Sequence, residues 1–260
     1  MTRLMLTAVA AVFAGCAGPN QLTDRDTNRH ATFLLTNPGG GQCSGVVLTE
    51  DGYILTAAHC LDADTTHLEV NVDTKDEPIS ARVVAYDARR DLALLKTHGF
   101  RWRSTARLHA GRVLKAGDTI YHVGHPFGGR GSLPQLFGVG HIMHPNAELG
   151  ELLGTRWIFI DLETGRPGAS GSGAYDAETG GLIGMVDAVA TIQAHGFDAM
   201  SVVMLVPYGY IRTFLRENGL ELPTTQGSAS REQESQFPQL SFSAMGSPRQ
   251  VVLPEESNEE

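Results

Sequence analysis

Residues 166–173 read Arg166-Pro-Gly-Ala-Ser-Gly-Ser-Gly173, with Ser170 set among small residues. Two earlier segments give that serine its meaning. Leu55-Thr-Ala-Ala-His-Cys60 ends an apolar run on His59, and Arg89-Arg-Asp-Leu-Ala-Leu-Leu-Lys96 puts Asp91 immediately before another apolar run. A serine hydroxyl is a poor nucleophile at neutral pH, so an imidazole must take its proton as it attacks. The imidazole needs a buried carboxylate to fix its tautomer and stabilise its cation, a role open to Asp91. A developing oxyanion needs converging backbone N–H donors. Gly168 and Ser170 can supply them, because small residues permit the tight turn required.

Outward from these segments, the chain from about His30 to Gly219 alternates short apolar stretches with Gly, Pro, Asn and Asp turns. The pattern predicts strands over 32–36, 44–48, 53–56, 68–72, 81–86, 92–96, 119–123, 136–143, 156–161, 181–189 and 200–206. Many short strands of this kind argue for an all-β sandwich or barrel over βαβ units. One helix is predicted over 207–218. Pro207 suits a first helical position, Tyr210, Ile211, Phe214 and Leu215 share a face, and Gly219 sits where a helix stops. No internal repeat is visible, so the reading is a single structured domain over 30–219.

Composition narrows the classes further. The 260 residues are 42% hydrophobic and 19% charged, which excludes a mostly disordered chain. Twenty Lys+Arg against 29 Asp+Glu leave a net charge of −9, which argues against a nucleic-acid partner, since that role needs cations facing phosphates. Thirty glycines and only 7% aromatics suit a fold with many tight turns. No apolar run reaches the length of an ordinary transmembrane helix.

The N-terminus reads as an export signal over 1–15. It has one positive charge at Arg3, an apolar stretch, then small residues before Cys16. Phe13-Ala-Gly-Cys16 resembles a bacterial lipobox, which makes Cys16 a lipidation site; ordinary signal cleavage nearby is the alternative, with Phe13 standing where Leu is usual. Residues 16–29 then form a polar tether. Export leaves Cys43 and Cys60 in an oxidising compartment, where a disulfide is the default reading. Residues 220–260 carry Gln, Ser, Pro and Glu in quantity, with seven acids against two bases from position 221 onward. Such a stretch buries too little apolar surface to offset its ordering entropy and reads as a disordered tail, too short for a second conventional binding domain.

The segment around His59, the Asp91-Leu-Ala-Leu-Leu95 run and Gly168-Ala-Ser-Gly-Ser172 resemble the three active-site motifs of trypsin-fold serine proteases, in family order. The nearer likeness is to bacterial HtrA-like proteases. Val123-Gly-His-Pro-Phe-Gly128 is similar to their Gly-Asn-Pro-Phe-Gly turn, with His125 replacing Asn. Gly181-Leu-Ile-Gly-Met185 and Met204-Leu-Val-Pro207 also fit that branch, whereas Ser172 resembles the glutamyl endopeptidases. The likeness covers about 30–219, with no PDZ domain.

The resemblance implies two six-stranded antiparallel β-barrels of chymotrypsin-like type with a C-terminal helix. The first barrel would carry His59 and Asp91, the second Ser170, and the triad would lie in the cleft between them. It also implies a Cys43–Cys60 disulfide and an oxyanion hole at Gly168 and Ser170. The specificity pocket would be walled by 162–167 and 186–190, with Thr164 near its floor and Val186 and Ala188 on its strand; these predict a modest apolar pocket. Asp187 stands where the family usually carries Ser or Thr, on the strand beside the triad. Ala169 replaces the Asp that pairs with a newly cut N-terminus in the trypsin branch, which disfavours that activation route. His122-x-x-His125 and His141-x-x-His144 lack a carboxylate cluster and read as structural histidines rather than metal ligands.

The function these readings predict is an extracytoplasmic serine endopeptidase without metal or organic cofactor. It would act on polypeptides, held to the membrane of the cell envelope by its N-terminal lipid, or alternatively secreted. The rival is a catalytically inactive protease-fold lipoprotein that binds peptides or envelope proteins. Nothing in the sequence speaks to oligomeric state.

Overall fold

Strand alternation decides where each face goes. In the computed structural model, which describes residues 23–61, 65–72, 77–110, 112–126, 135–148, 155–194 and 197–225, β4 (His67–Asn71) buries Leu68 and Val70 and exposes His67 and Glu69. That period of two places one face of the strand on a core. Six strands close the first barrel: β1 (Thr32–Thr36), β2 (Gln42–Val47), β3 (Tyr53–Ala57), β4, β5 (Ile79–Asp87) and β6 (Leu92–Thr97). The second barrel closes from β7 (Thr119–Gly124), β8 (Leu136–Glu148), β9 (Arg156–Asp161), β10 (Gly173–Asp176), β11 (Leu182–Ala194) and β12 (Phe197–Pro207). Every pairing within both barrels is antiparallel. The chymotrypsin-like double barrel expected from the sequence is therefore the observed fold.

The strand orders around the two barrels are β1-β2-β3-β6-β5-β4 and β7-β8-β9-β12-β11-β10. These are the same circuit, so the chain repeats a topology without repeating a sequence. Closure removes free sheet edges, and each interior is filled with side chains. Leu35, Ile54, Leu68, Val70 and Leu95 share one face of the first barrel's strands and are buried together; Ile120, Ile158, Ile160, Ile183 and Leu205 are buried together in the second.

Three expectations need correction. The strand β10 was not predicted, and its four residues are all buried. The tether expected over 16–29 gives way to α1 (Asp24–His30), whose N-cap Thr23 accepts a hydrogen bond from the Asp26 N–H. Acids in its first turn and Arg29 and His30 in its last suit the helix dipole. The helix is pinned to the second barrel, where buried Asn28 donates to the Tyr121 hydroxyl (2.8 Å) and the Gly180 carbonyl (2.9 Å). The tail expected from 220 begins as ordered chain. Leu220 and Leu222 pack on the core, and Thr225 is buried, its N–H donating to the Leu108 carbonyl. Residues 226–260, the export signal over 1–15 and Cys16 lie outside the described residues.

The C-terminal helix is α2 (Tyr208–Glu217), with Pro207 as its N-cap and Tyr208, Tyr210, Ile211, Phe214 and Leu215 buried. Its Glu217 accepts two hydrogen bonds from Arg90, the nearer at 2.7 Å, and so fastens the helix beside the turn that carries Asp91.

Candidate active site

His59 sits in a single 3-10 turn, Ala58–Cys60, directly after β3. The pairing of β3 with β6 places Ala57 opposite Leu92, and that register delivers the residue before Leu92 to the residues after Ala57. Asp91 adopts a left-handed backbone (φ 53°), the one non-glycine to do so among the described residues. Asp tolerates that region better than most side chains. The payoff is a double contact. The Asp91 carbonyl accepts from Ala58 N–H (3.1 Å), while its carboxylate accepts from His59 N–H (2.8 Å) and bonds His59 Nδ1 (2.8 Å). A carboxylate accepting from Nδ1 fixes the tautomer with the proton on that nitrogen, which leaves Nε2 with its lone pair.

The Cys43–Cys60 disulfide, with a Cα–Cα distance of 6.1 Å, links β2 to the end of this turn. It closes 17 residues of chain.

Ser170 lies on the opposite barrel, between two glycines with positive φ, Gly168 (91°) and Gly171 (83°). Ala169 N–H donates to the Arg166 carbonyl (2.9 Å), closing a turn with Pro167 and Gly168 at its centre. Proline followed by a positive-φ glycine is the type II arrangement. Among the described residues, neither Gly168 N–H nor Ser170 N–H has a hydrogen-bond partner. Two unpaired donors flanking a serine hydroxyl form a place for a negative oxygen. Ser170 Oγ donates to the Asp187 carbonyl (3.2 Å) and is not hydrogen-bonded to His59 in this structure. Such bonds are often long or misaligned before substrate binds.

The two halves are joined through Ser44, which sequence reasoning missed. Its N–H donates to the Ser170 carbonyl (2.8 Å), its hydroxyl donates to the Gly168 carbonyl (2.9 Å), and the hydroxyl accepts from His125 N–H (2.9 Å). A Cβ on Gly171 would collide with the Ser44 carbonyl and the Thr56 hydroxyl, so the close approach requires glycine.

Behind the serine, Thr164 and Ser172 share one buried imidazole. His122 Nδ1 lies 3.0 Å from Thr164 Oγ1, and Nε2 lies 2.6 Å from Ser172 Oγ. Ser172 donates its own proton to the Ala169 carbonyl. His122 Nε2–H must then donate to Ser172, so Nδ1 accepts from Thr164 and the Thr164 proton points away from any occupant of the cleft. Burial pushes this imidazole down to about 3, so it stays neutral.

Val186 is buried in the second core, whereas Ala188 and Val189 are exposed. Glu163 is also exposed. Of the other histidines, His144 Nδ1 accepts from Asn146 N–H and His141 lies 3.4 Å from Asp161. Phe127 and Gly128 of the glycine-rich turn lie outside the described residues.

Asp187 comes within 3.8 Å of His59 Nδ1, and its carboxyl lies within 4.8 Å of that of Asp91. His59, Asp91 and Asp187 are the one grouping among the described residues with three donor atoms close enough, within 4.8 Å of one another, to be compared with a metal centre. Their contacts to one another are those of a hydrogen-bonded acid–base cluster.

An acid, an imidazole and a serine at the junction of two six-stranded barrels define the architecture of a chymotrypsin-like peptidase domain. The family model described as a trypsin-like peptidase domain matches residues 43–185, and the chain belongs to that family. A "probable periplasmic serine endoprotease DegP-like" from Ectopseudomonas mendocina is 37% identical over 98 residues, covering 35% of this chain and 20% of the relative. One of the same description from Bartonella henselae is 30% identical over 146 residues, covering 56% of this chain and 27% of the relative. The chain thus spans about a fifth to a quarter of the length of these two relatives. Among solved structures, an inactive form of Rv3671c from M. tuberculosis, crystallised as a serine-to-alanine mutant, superposes with a TM-score of 0.61. It is 20% identical, and the match covers 75% of this chain and 90% of that one, which speaks for the shared fold.

Proposed function

We propose that the chain is an extracytoplasmic serine endopeptidase that cleaves polypeptides through an acyl-enzyme, with His59 as base, Asp91 as its orienting carboxylate and Ser170 as nucleophile. The observation that carries this reading is the pair of hydrogen bonds from His59 to Asp91. They leave Nε2 as a free base at the barrel junction where Ser170 sits beside two unpaired N–H donors. In attack, Ser170 Oγ leaves the Asp187 carbonyl and turns toward Nε2, which takes its proton. The carbonyl oxygen of the substrate develops negative charge against Gly168 N–H and Ser170 N–H. His59 then returns the proton to the departing amine, and water repeats the sequence on the acyl-enzyme.

The cut is placed after small or medium apolar residues. Val186 turns into the core, so the strand side of the pocket falls to exposed Ala188 and Val189, which are apolar, and the Thr164 hydroxyl is already engaged by His122. Glu163 is exposed and Asp187 is turned to His59 and Asp91, so among the described residues of the pocket walls neither acid is placed to receive Arg or Lys. An extracytoplasmic site is supported by the disulfide and by the periplasmic description of the DegP-like relatives. Attachment through Cys16 belongs to the same reading, on the strength of its lipobox-like sequence.

A fluorophosphonate probe tests the assignment. Labelling of the wild type that disappears in Ser170→Ala and in His59→Ala supports an enzyme. A folded wild type that takes no label makes this a binding protein with a peptidase fold.

A further inference from the structure

Asp187 is out of step with its own strand. In the β11–β12 ladder Val186 pairs with Leu205 and Ala188 with Met204, so Asp187 is the extra residue of a bulge. A bulge breaks the alternation of faces and re-aims a side chain. Here Val186 points into the core, and Asp187 is turned to the triad. Its carbonyl receives Ser170 Oγ, its carboxyl lies within 4.8 Å of that of Asp91, and Oδ1 lies 3.8 Å from His59 Nδ1. One residue therefore touches all three members of the proposed triad.

The contact between two carboxyl groups demands a proton. Two carboxylates sharing a site cannot both ionise near neutrality. Asp91 is the member built to be the anion, since both of its oxygens accept hydrogen bonds from His59. The proton belongs on Asp187. Among the described residues, the groups facing Asp187 are His59 from the turn after β3 and Asp91 from the β5–β6 turn. Among the described residues, no other charged side chain forms an ion pair with it. The cation nearest to Asp91 in sequence, Arg90, is spent on Asp87 and Glu217.

We propose that Asp187 is a positioning residue which, as a neutral carboxylic acid, donates a hydrogen bond to Asp91 and clamps it against His59, and that loss of this proton at alkaline pH turns the clamp into a repelling dicarboxylate. The proposal rests on the peptidase reading above only for its catalytic consequence. Burial and the Asp91 charge both raise Asp187 well above the ordinary carboxyl range, in agreement with the geometry. With the proton in place, Asp91 has three donors: His59 N–H, His59 Nδ1–H and the Asp187 hydroxyl. Without it, the second charge repels the Asp91 carboxylate and loosens its hold on His59 Nδ1–H. The imidazole keeps Nε2 unprotonated but loses the partner that orients it toward Ser170.

The test uses the full chain in two measurements. In the Ser170→Ala protein with 15N-labelled histidine, the His59 ring nitrogens are followed against pH with Asp187 present and with Asp187→Asn. A second, alkaline step at His59 that vanishes in the Asn variant is the expected result, and it is read without any turnover. In proteins that keep Ser170, kcat/KM for a peptide substrate is measured against pH. The wild type falls at alkaline pH. Asp187→Asn, whose amide still donates to Asp91, stays within about threefold of the wild type near neutrality and loses the alkaline fall, whereas Asp187→Ala drops ten- to a hundredfold, about the cost of a misplaced catalytic group. Persistence of the alkaline step in Asp187→Asn, or equal rates for the Asn and Ala variants, overturns the proposal. An alkaline step in a protein that cleaves nothing supports the clamp and refutes the peptidase.

Discussion

Acidification acts on this fold through His122, a histidine with no catalytic part. Its ring is fully buried, and its nitrogens are spent on the Thr164 and Ser172 hydroxyls, neither of which stabilises a cation. Burial alone lowers it from 6.5 to about 3. The unfolded chain takes up a proton as pH falls through 6.5, whereas the folded chain declines it until about 3. Between those values the unfolded state holds more protons, so stability rises with pH there; the contribution is complete above 6.5 and is lost on acidification. A full proton difference is worth about 1.4 kcal/mol per pH unit, and with the unfolded imidazole half-protonated at 6.5, going from pH 6.5 to 4.5 removes about 2 kcal/mol. The assay is urea unfolding by tryptophan fluorescence at both pH values, for wild type and His122→Gln. Glutamine offers one donor and one acceptor to the same two hydroxyls and does not titrate. Asp176, His109 and Asp187 also change their protonation on folding, but they are common to both proteins and cancel in the difference. The variant loses about 2 kcal/mol less than the wild type over this interval. Equal losses would refute the reasoning, since they would mean that the imidazole takes up its proton in the folded state at little cost.

Asp91→Asn keeps the shape of the orienting group but offers His59 Nδ1 an amide that is indifferent to tautomer; kcat falls by about four powers of ten while the urea midpoint changes little. Ser44→Ala strips the Gly168 carbonyl and His125 N–H of a shared partner, which costs about 1–3 kcal/mol in unfolding experiments and slows fluorophosphonate labelling of Ser170. Replacing Cys43 and Cys60 together by serine lowers stability by about 3 kcal/mol for a loop of 17 residues, read from the urea midpoint. A double variant as stable as the parent would show that the loop is already ordered in the unfolded chain.

What could be read from the sequence divides along physical lines. Thr32–Thr36 and Arg156–Asp161 emerge with the predicted bounds because β-branched and aromatic residues between polar turns announce a half-buried strand. The strand Gly173–Asp176 gave no such signal: its Gly-Ala start looks like the loop before it, and its burial comes from β7 and β11 on either side. Helix α1 did carry a signal, Thr23 three residues before Asp26, which is the spacing of a helix start. Its polar composition read as a tether because the face that docks uses Asn28 where an apolar side chain would be expected. The residues of the proposed triad stand out in the sequence because a nucleophile, a base and a carboxylate must be particular residue types. Ser44 was not, because its task is to reach across the gap between barrels, and nothing local in the sequence marks a distance of 124 residues to Gly168. The meaning of Asp187 likewise waits on the bulge that aims it.

The alignment of the site is consequently a property of the junction rather than of either barrel. His59 and Asp91 are fixed within the first barrel by the β3–β6 register and by the disulfide. Ser170 is fixed within the second by the turn closed from Ala169 to Arg166 and by the Gly171 N–H bond to the Val186 carbonyl. Neither set determines where Nε2 stands relative to Oγ. That relation is carried by a few groups crossing the gap: the Ser44 N–H and hydroxyl on the Ser170 and Gly168 carbonyls, Gly171 lying without a side chain against Ser44 and Thr56, the Asp187 carboxyl on Asp91, and Glu217 of α2 on Arg90. Most are hydrogen bonds worth about 1 kcal/mol each in net stability. They are too weak to decide whether the barrels fold, yet they set a geometry in which an error of about 1 Å costs a hundredfold in rate. Substitutions along this seam therefore fall on turnover far more heavily than on the midpoint of unfolding, and those inside either barrel do the reverse.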